Sequence, residues 1–176
     1  FIEELECRGK ENVKQKENKI QELLIEENNL MNDNEFIEED VFKLNKEIEE
    51  LTGATDKLRK LGNLKGKISN KVSTITKEHK FFTENTVCPT CNQDIEESFR
   101  INRITDAQSK AKELQSGYKE LEEAIKEEEE RERHFTTLSK EISKLNNDIS
   151  QNNARISGCQ RQIRSLESEV QKLTDQ

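Results

Sequence analysis

Cys88-Pro89-Thr90-Cys91 places two thiols around the single proline of a 176-residue chain. Cysteines at this CxxC spacing can grip one metal ion from a tight turn, and Pro89 presets the backbone for the bend. Two thiolates fill only half of a tetrahedral structural zinc site, which ordinarily takes four protein ligands. The sequence holds no second CxxC, and Cys7 and Cys159 lie near the two ends of the chain. His79 is the one residue nearby that could add a ligand. It falls on a stretch that reads as helix, and a surface histidine is the simpler account of it. The simplest completion is two tips meeting, with Cys88 and Cys91 of each chain around one shared Zn²⁺. Lys77, Lys80, Arg100 and Arg103 are close enough in sequence to offset the negative charge of four thiolates. A redox-active Cys88–Cys91 pair is the competing chemistry, although the βαβ context of a thioredoxin-type motif is missing.

The two arms that flank the knuckle must position it. The first is patterned from Val13, with Ile20, Glu27, Asn34, Val41, Ile48 and Thr55 at one heptad core position. Leu23, Leu30, Ile37, Leu44, Leu51 and Leu58 hold the other. Sustained over six heptads, this pattern predicts a coiled coil. The phase slips after Leu58, and Leu61, Leu64, Ile68, Val72 and Ile75 carry the stripe onward. Gly53, Gly62 and Gly66 cluster around the slip, so the helix should bend or fray there. In the second arm, Ile104, Ala107, Ala111, Leu114 and Tyr118 lead away from the tip. The charged run 126–133 follows. Phe135, Ile142, Ile149, Ile156, Ile163 and Val170 then alternate with Leu138, Leu145, Asn152, Cys159, Leu166 and Leu173. Cys159 therefore reads as a small core residue. Asp94, with Glu97 three residues on, forms a capping box for the helix restart after the knuckle.

Three segments follow: a first coiled-coil arm (1–80), a tip (81–97) and a second arm (98–176). The expected fold is all-α, a long antiparallel intramolecular coiled-coil hairpin with the CxxC turn at its tip. Folding symmetrically about the knuckle, with Cys88 opposite Cys91, pairs Leu44 with Phe135, Leu23 with Ile156 and Ile20 with Cys159. In that register polar Glu27 meets polar Asn152. Ile48 and Leu51 meet Arg131 and Glu128, so opening or bending is expected around Glu47–Gly53 and Lys126–Arg133.

Composition agrees with a narrow seam rather than a wide core. Charged residues make up 38% and hydrophobic ones 30%, with no Trp and one Tyr. The net charge of −8 gives no reason to expect the whole surface to bind nucleic acid. Residues 57–80, however, carry eight lysines and arginines against Glu78 alone, a basic stretch that could make weak DNA contact. Gly62-Asn63-Leu64-Lys65-Gly66-Lys67-Ile68-Ser69 fails as a phosphate-binding P-loop: it has one residue too few between the glycines, and Ile68 where Ser or Thr must reach magnesium. No apolar run reaches membrane-span length and no signal peptide is visible, so no membrane partner is expected and the setting reads as intracellular and reducing. Both ends are still patterned, as in a segment of a longer protein.

A CPxC knuckle midway along two heptad arms resembles the zinc hook of SbcC-type, SMC-like ATPases of DNA double-strand-break repair, and the Lys- and Asn-rich arms resemble a bacteriophage counterpart. The resemblance covers the whole segment. It makes Cys88 and Cys91 the hook cysteines and Pro89 the motif proline, with Asn92 where such hooks often carry Gly. It implies a homodimer through the hook and one Zn²⁺ shared between two chains. It also implies distant ATP-binding heads with a nuclease subunit and DNA as partners. The segment itself would be no enzyme but a spacer. An arm of about 87 residues would reach roughly 130 Å at 1.5 Å per residue. The alternative is a structural or adaptor coiled coil with a redox-active CxxC tip.

Overall fold

The computed structural model describes residues 1–175; Gln176, the last residue of the expected second arm, lies outside them. Among the described residues the chain is all-α and about 90% helical. Helix α1 spans Ile2–Glu50, α2 spans Ala54–Glu84 and α3 spans Glu97–Thr174. The chain divides into two units, Phe1–Glu50 with Thr137–Gln176, and Leu51–Thr136. No helix among the described residues is long and apolar enough to cross a membrane.

In the first unit, α1 packs antiparallel to the distal part of α3. Leu23, Cys159 and Ile163 form its buried cluster, with Ile20 and Leu166 packed against them. The expected core assignment of Cys159 agrees with this. The expected register does not. Asn34 is only 8% exposed, its Nδ2 donates to Asn153 Oδ1 at 3.0 Å and its Oδ1 accepts from Asn152 Nδ2 at 3.0 Å. Glu27, expected opposite Asn152, instead accepts from Gln160 Nε2 at 2.9 Å. Asn152 thus meets the polar core residue one heptad away from the expected one. An unpaired buried amide costs about 1–3 kcal/mol, so the alignment that satisfies Asn34 is favoured. Lys16–Glu169 and Arg155–Glu26 ion pairs flank the seam.

The second unit pairs α2 with the tip-proximal part of α3, again antiparallel. Ala54 and Ala107 are its buried apolar residues. Lys65 Nζ stands 5.4 Å from the centre of the Tyr118 ring, and the Phe82 and Phe99 rings meet edge to face at 5.9 Å. The chain leaves the helix at Leu51-Thr52-Gly53, within the Glu47–Gly53 stretch expected to bend. Gly53 has φ +85°, a left-handed conformation that costs any residue with a Cβ on the order of 1–2 kcal/mol. Gly62 and Gly66, expected to share the disturbance, stay inside α2. Glu128, in the charged run, is nearly buried, and its Oε1 lies 3.0 Å from Arg131 Nη1 and 3.6 Å from Lys57 Nζ.

Candidate metal centre

Residues 85–96 join α2 to α3 and hold both tip cysteines. Asn85 ends α2: its backbone N–H and its Nδ2 both donate to Phe81 O, at 3.1 and 2.9 Å. The chain then closes on itself through one isolated antiparallel bridge and two backbone hydrogen bonds beside it. Ile95 N donates to Thr86 O at 2.9 Å, and Cys88 N donates to Gln93 O at 2.9 Å. Val87 bridges antiparallel to Asp94. The turn is therefore centred one residue along from the position that pairs Cys88 with Cys91 symmetrically. Asp94 sits in this bridge rather than at a helix cap. α3 begins at Glu97, Arg100 N donates to Glu96 O at 2.9 Å, and Ser98 Oγ donates to Glu96 Oε1 at 2.8 Å.

Asn92 N donates to Cys88 O at 2.8 Å and closes the turn. Asn92 takes φ +59°, a left-handed conformation that Asn tolerates better than most residues with a Cβ. Pro89 has no N–H to leave unpaired. The N–H groups of Cys91 and Thr90 donate to the Cys88 sulfur and hold its thiol below the ordinary value, helped by the Cys91 side chain. A hydrogen bond to the charged form stabilises the thiolate, the form that binds metal or attacks a disulfide.

Cys88 and Cys91 lie 3.5 Å apart, both as free thiols. Cys88 is half-buried and Cys91 exposed. Among the described residues no group of three or more His, Cys, Asp and Glu is gathered that could hold an ion.

His79 stays on α2, where its Nε2 meets Gln108 Nε2 at 3.5 Å across the helix pair. Of the four cations placed near the tip by sequence, two tie the helices together. Arg100 Nη1 donates to Phe82 O at 3.0 Å and its Nη2 lies 3.4 Å from Glu97 Oε1. Arg103 pairs with Glu78 at 3.4 Å and lies 5.3 Å from the centre of the Phe99 ring.

Sequence reasoning missed the aromatic cluster beneath the knuckle, where Phe81 meets Phe82 at 5.1 Å and Phe82 meets Phe99. A signal existed: three of seven phenylalanines flank the CxxC in a chain only 5% aromatic.

Comparison with protein-family models and with curated proteins finds no match for this chain.

Proposed function

We propose that this segment is the tip-to-tip coupling and spacer of a longer DNA repair or recombination ATPase, with Cys88 and Cys91 of two chains sharing one Zn²⁺. The observation that carries this reading is a preformed turn whose backbone donors favour the Cys88 thiolate, with no group of three or more metal donors gathered among the described residues. Half a ligand set on an exposed turn invites a second half, and an identical tip supplies it. Four thiolates would make a closed structural site, which crosslinks chains and leaves no position for catalytic water.

The protein's own contributions are organisational. Asn92 and the Cys88–Gln93 pairing fix the turn before any ligand arrives. The carbonyl-capping Asn85 and the Arg100–Phe82 bond hold the turn on the two helices. Because the ligands must lose protons to bind, association should be both zinc- and pH-dependent. ATP-binding heads, a nuclease subunit and DNA tethered by those heads belong to the same proposal and rest on the resemblance of the knuckle and its arms.

Mass and zinc content of the reduced protein, with and without chelator, test the proposal. One zinc per two chains, lost together with the dimer in Cys88→Ser, supports it. A zinc-free monomer that readily forms a Cys88–Cys91 disulfide replaces it with the redox tip.

A further inference from the structure

Helix α1 carries a second heptad line beside its buried seam. Leu24, Asn28, Met31, Glu35, Glu38 and Phe42 follow one another at intervals of three and four residues, the spacing that keeps side chains on one face of a helix. All six are exposed. The three apolar members are large and lie open to water: Leu24 is 41% exposed, Met31 48% and Phe42 60%. The neighbouring buried seam runs one residue behind, through Leu23, Leu30 and Asn34. A shallow groove of about 430 Å³, lined by Glu35, Glu38, Glu39, Phe42 and Lys43, lies on this line. Lys46 Nζ reaches to 4.5 Å from the centre of the Phe42 ring and leaves most of it uncovered.

Helix α2 carries a line of opposite charge. Lys60, Leu64, Lys67 and Lys71 are spaced at four, three and four residues and are likewise exposed, with Leu64 at 48%. Among the described residues, no ion pair engages Lys60, Lys67 or Lys71, nor Glu35 or Glu38. At 1.5 Å per residue the acidic line extends about 27 Å and the basic line about 17 Å, so the shorter can lie within the longer.

We infer that the α1 line of one molecule docks the α2 line of a second copy of this chain. Charge complementarity selects the occupant. The α1 line offers carboxylates between apolar residues, and the α2 line offers ammonium groups around one leucine. Packing them together covers Leu24, Met31, Phe42 and Leu64 and pairs charges that the single molecule leaves unpaired. Such a contact lies along the sides of the helices and does not use Cys88 or Cys91. Its success or failure is therefore separate from that of the shared-zinc reading.

The test uses the Cys88→Ser/Cys91→Ser chain, in which thiol coupling at the tip is removed. Sedimentation should show self-association in dilute buffer and its loss near 1 M salt, where charges are screened beyond about 3 Å. Glu35→Lys/Glu38→Lys should abolish association, and so should Lys60→Glu/Lys67→Glu. An equimolar mixture of these two charge-reversed variants should associate again, because each then meets an opposite line. A wild-type line pair that stays monomeric, reversals without effect, or a mixture that fails to recover association each overturns the inference. So does a monomer whose Lys60–Lys71 line binds duplex DNA in place of a second copy.

Discussion

Cys159 and Cys88 show how differently the two units treat one side chain. In the first unit Cys159 is 6% exposed and packs with Leu23 and Ile163. Burial, together with the neighbouring Glu26 carboxylate, pushes its thiol up. In the second unit Cys88 sits on an exposed turn whose N–H groups pull its thiol down. The first environment makes sulfur a small apolar filler; the second favours its thiolate. Reactivity here follows from where the backbone points its donors rather than from the residue type. The seams differ in the same way. The first unit is aligned by buried Asn34 between two amides and by an apolar cluster, the second by a hydrogen-bonded turn and ring contacts beneath it.

The largest expected break in this comparison is Leu23→Ala. It removes the large side chain facing Cys159 and Ile163, at a cost of about 2–4 kcal/mol. Hydrogen exchange should accelerate through α1 and the distal part of α3, while residues 85–96 keep their protection. Equal acceleration at the tip would show that the two units do not hold themselves together separately.

Asn34→Ala should cost less, about 1–3 kcal/mol, by leaving the Asn152 and Asn153 amides short of partners. Asn34→Leu should lose little stability or gain some, yet admit more than one alignment of the helices. Zero-length carbodiimide crosslinking of Lys16 to Glu169, whose Nζ and Oε2 lie 2.6 Å apart, measures this. Efficient trapping in the parent and several competing crosslinked species in Asn34→Leu are expected; a single unchanged product would remove Asn34 from the register account.

These particular residues show what was legible in the sequence. The heptads revealed both helical arms and their antiparallel pairing, because a 3.5-residue repeat reports which face is buried. The same repeat cannot say which heptad meets which, since a shift by seven residues restores every apolar contact. Only the polar exceptions distinguish the alternatives, and Asn34 matches Asn152 and Asn153 better than Glu27 does. Counting outward from the knuckle misled for a second reason. The turn at the tip is centred one residue beyond the Cys88–Cys91 midpoint, so the count starts from the wrong place. At the tip, residue types announced a turn with two thiols. The Val87–Asp94 bridge and the donors to the Cys88 sulfur depend on backbone dihedrals that no side-chain pattern encodes.

Gly53→Ala is expected to cost on the order of 1 kcal/mol, because φ +85° is strained for any residue with a Cβ even though nothing crowds the added atom. Thermal unfolding monitored by circular dichroism gives the size, and Gly53→Asn should recover part of the loss. A Gly53→Ala chain as stable as the parent would show that the left-handed turn is not required.

The smallest effects are in thiol reactivity. In reduced, metal-free protein, the alkylation rate of Cys88 should rise at pH values below the ordinary thiol range, and that of Cys159 only above it. The signs for stability follow. The folded-state value of Cys88 is depressed, so its contribution is present above the unfolded value and lost as pH falls through the folded one. The value of Cys159 is raised, so its contribution is full below the unfolded value and lost as pH climbs through the folded one. Peptide mapping after timed alkylation separates the two sites. Coincident pH profiles would contradict the contrast between them.

Titration of the reduced, metal-free protein with Co²⁺ tests the shared site most directly, since the ion can replace zinc and its absorption reports both thiolate ligation and tetrahedral geometry. The account predicts thiolate-to-metal bands that saturate at one ion per two chains, together with the shift from monomer to dimer, and that vanish in Cys88→Ser. Saturation at one ion per chain with no change in mass, or no thiolate bands at all, would contradict it.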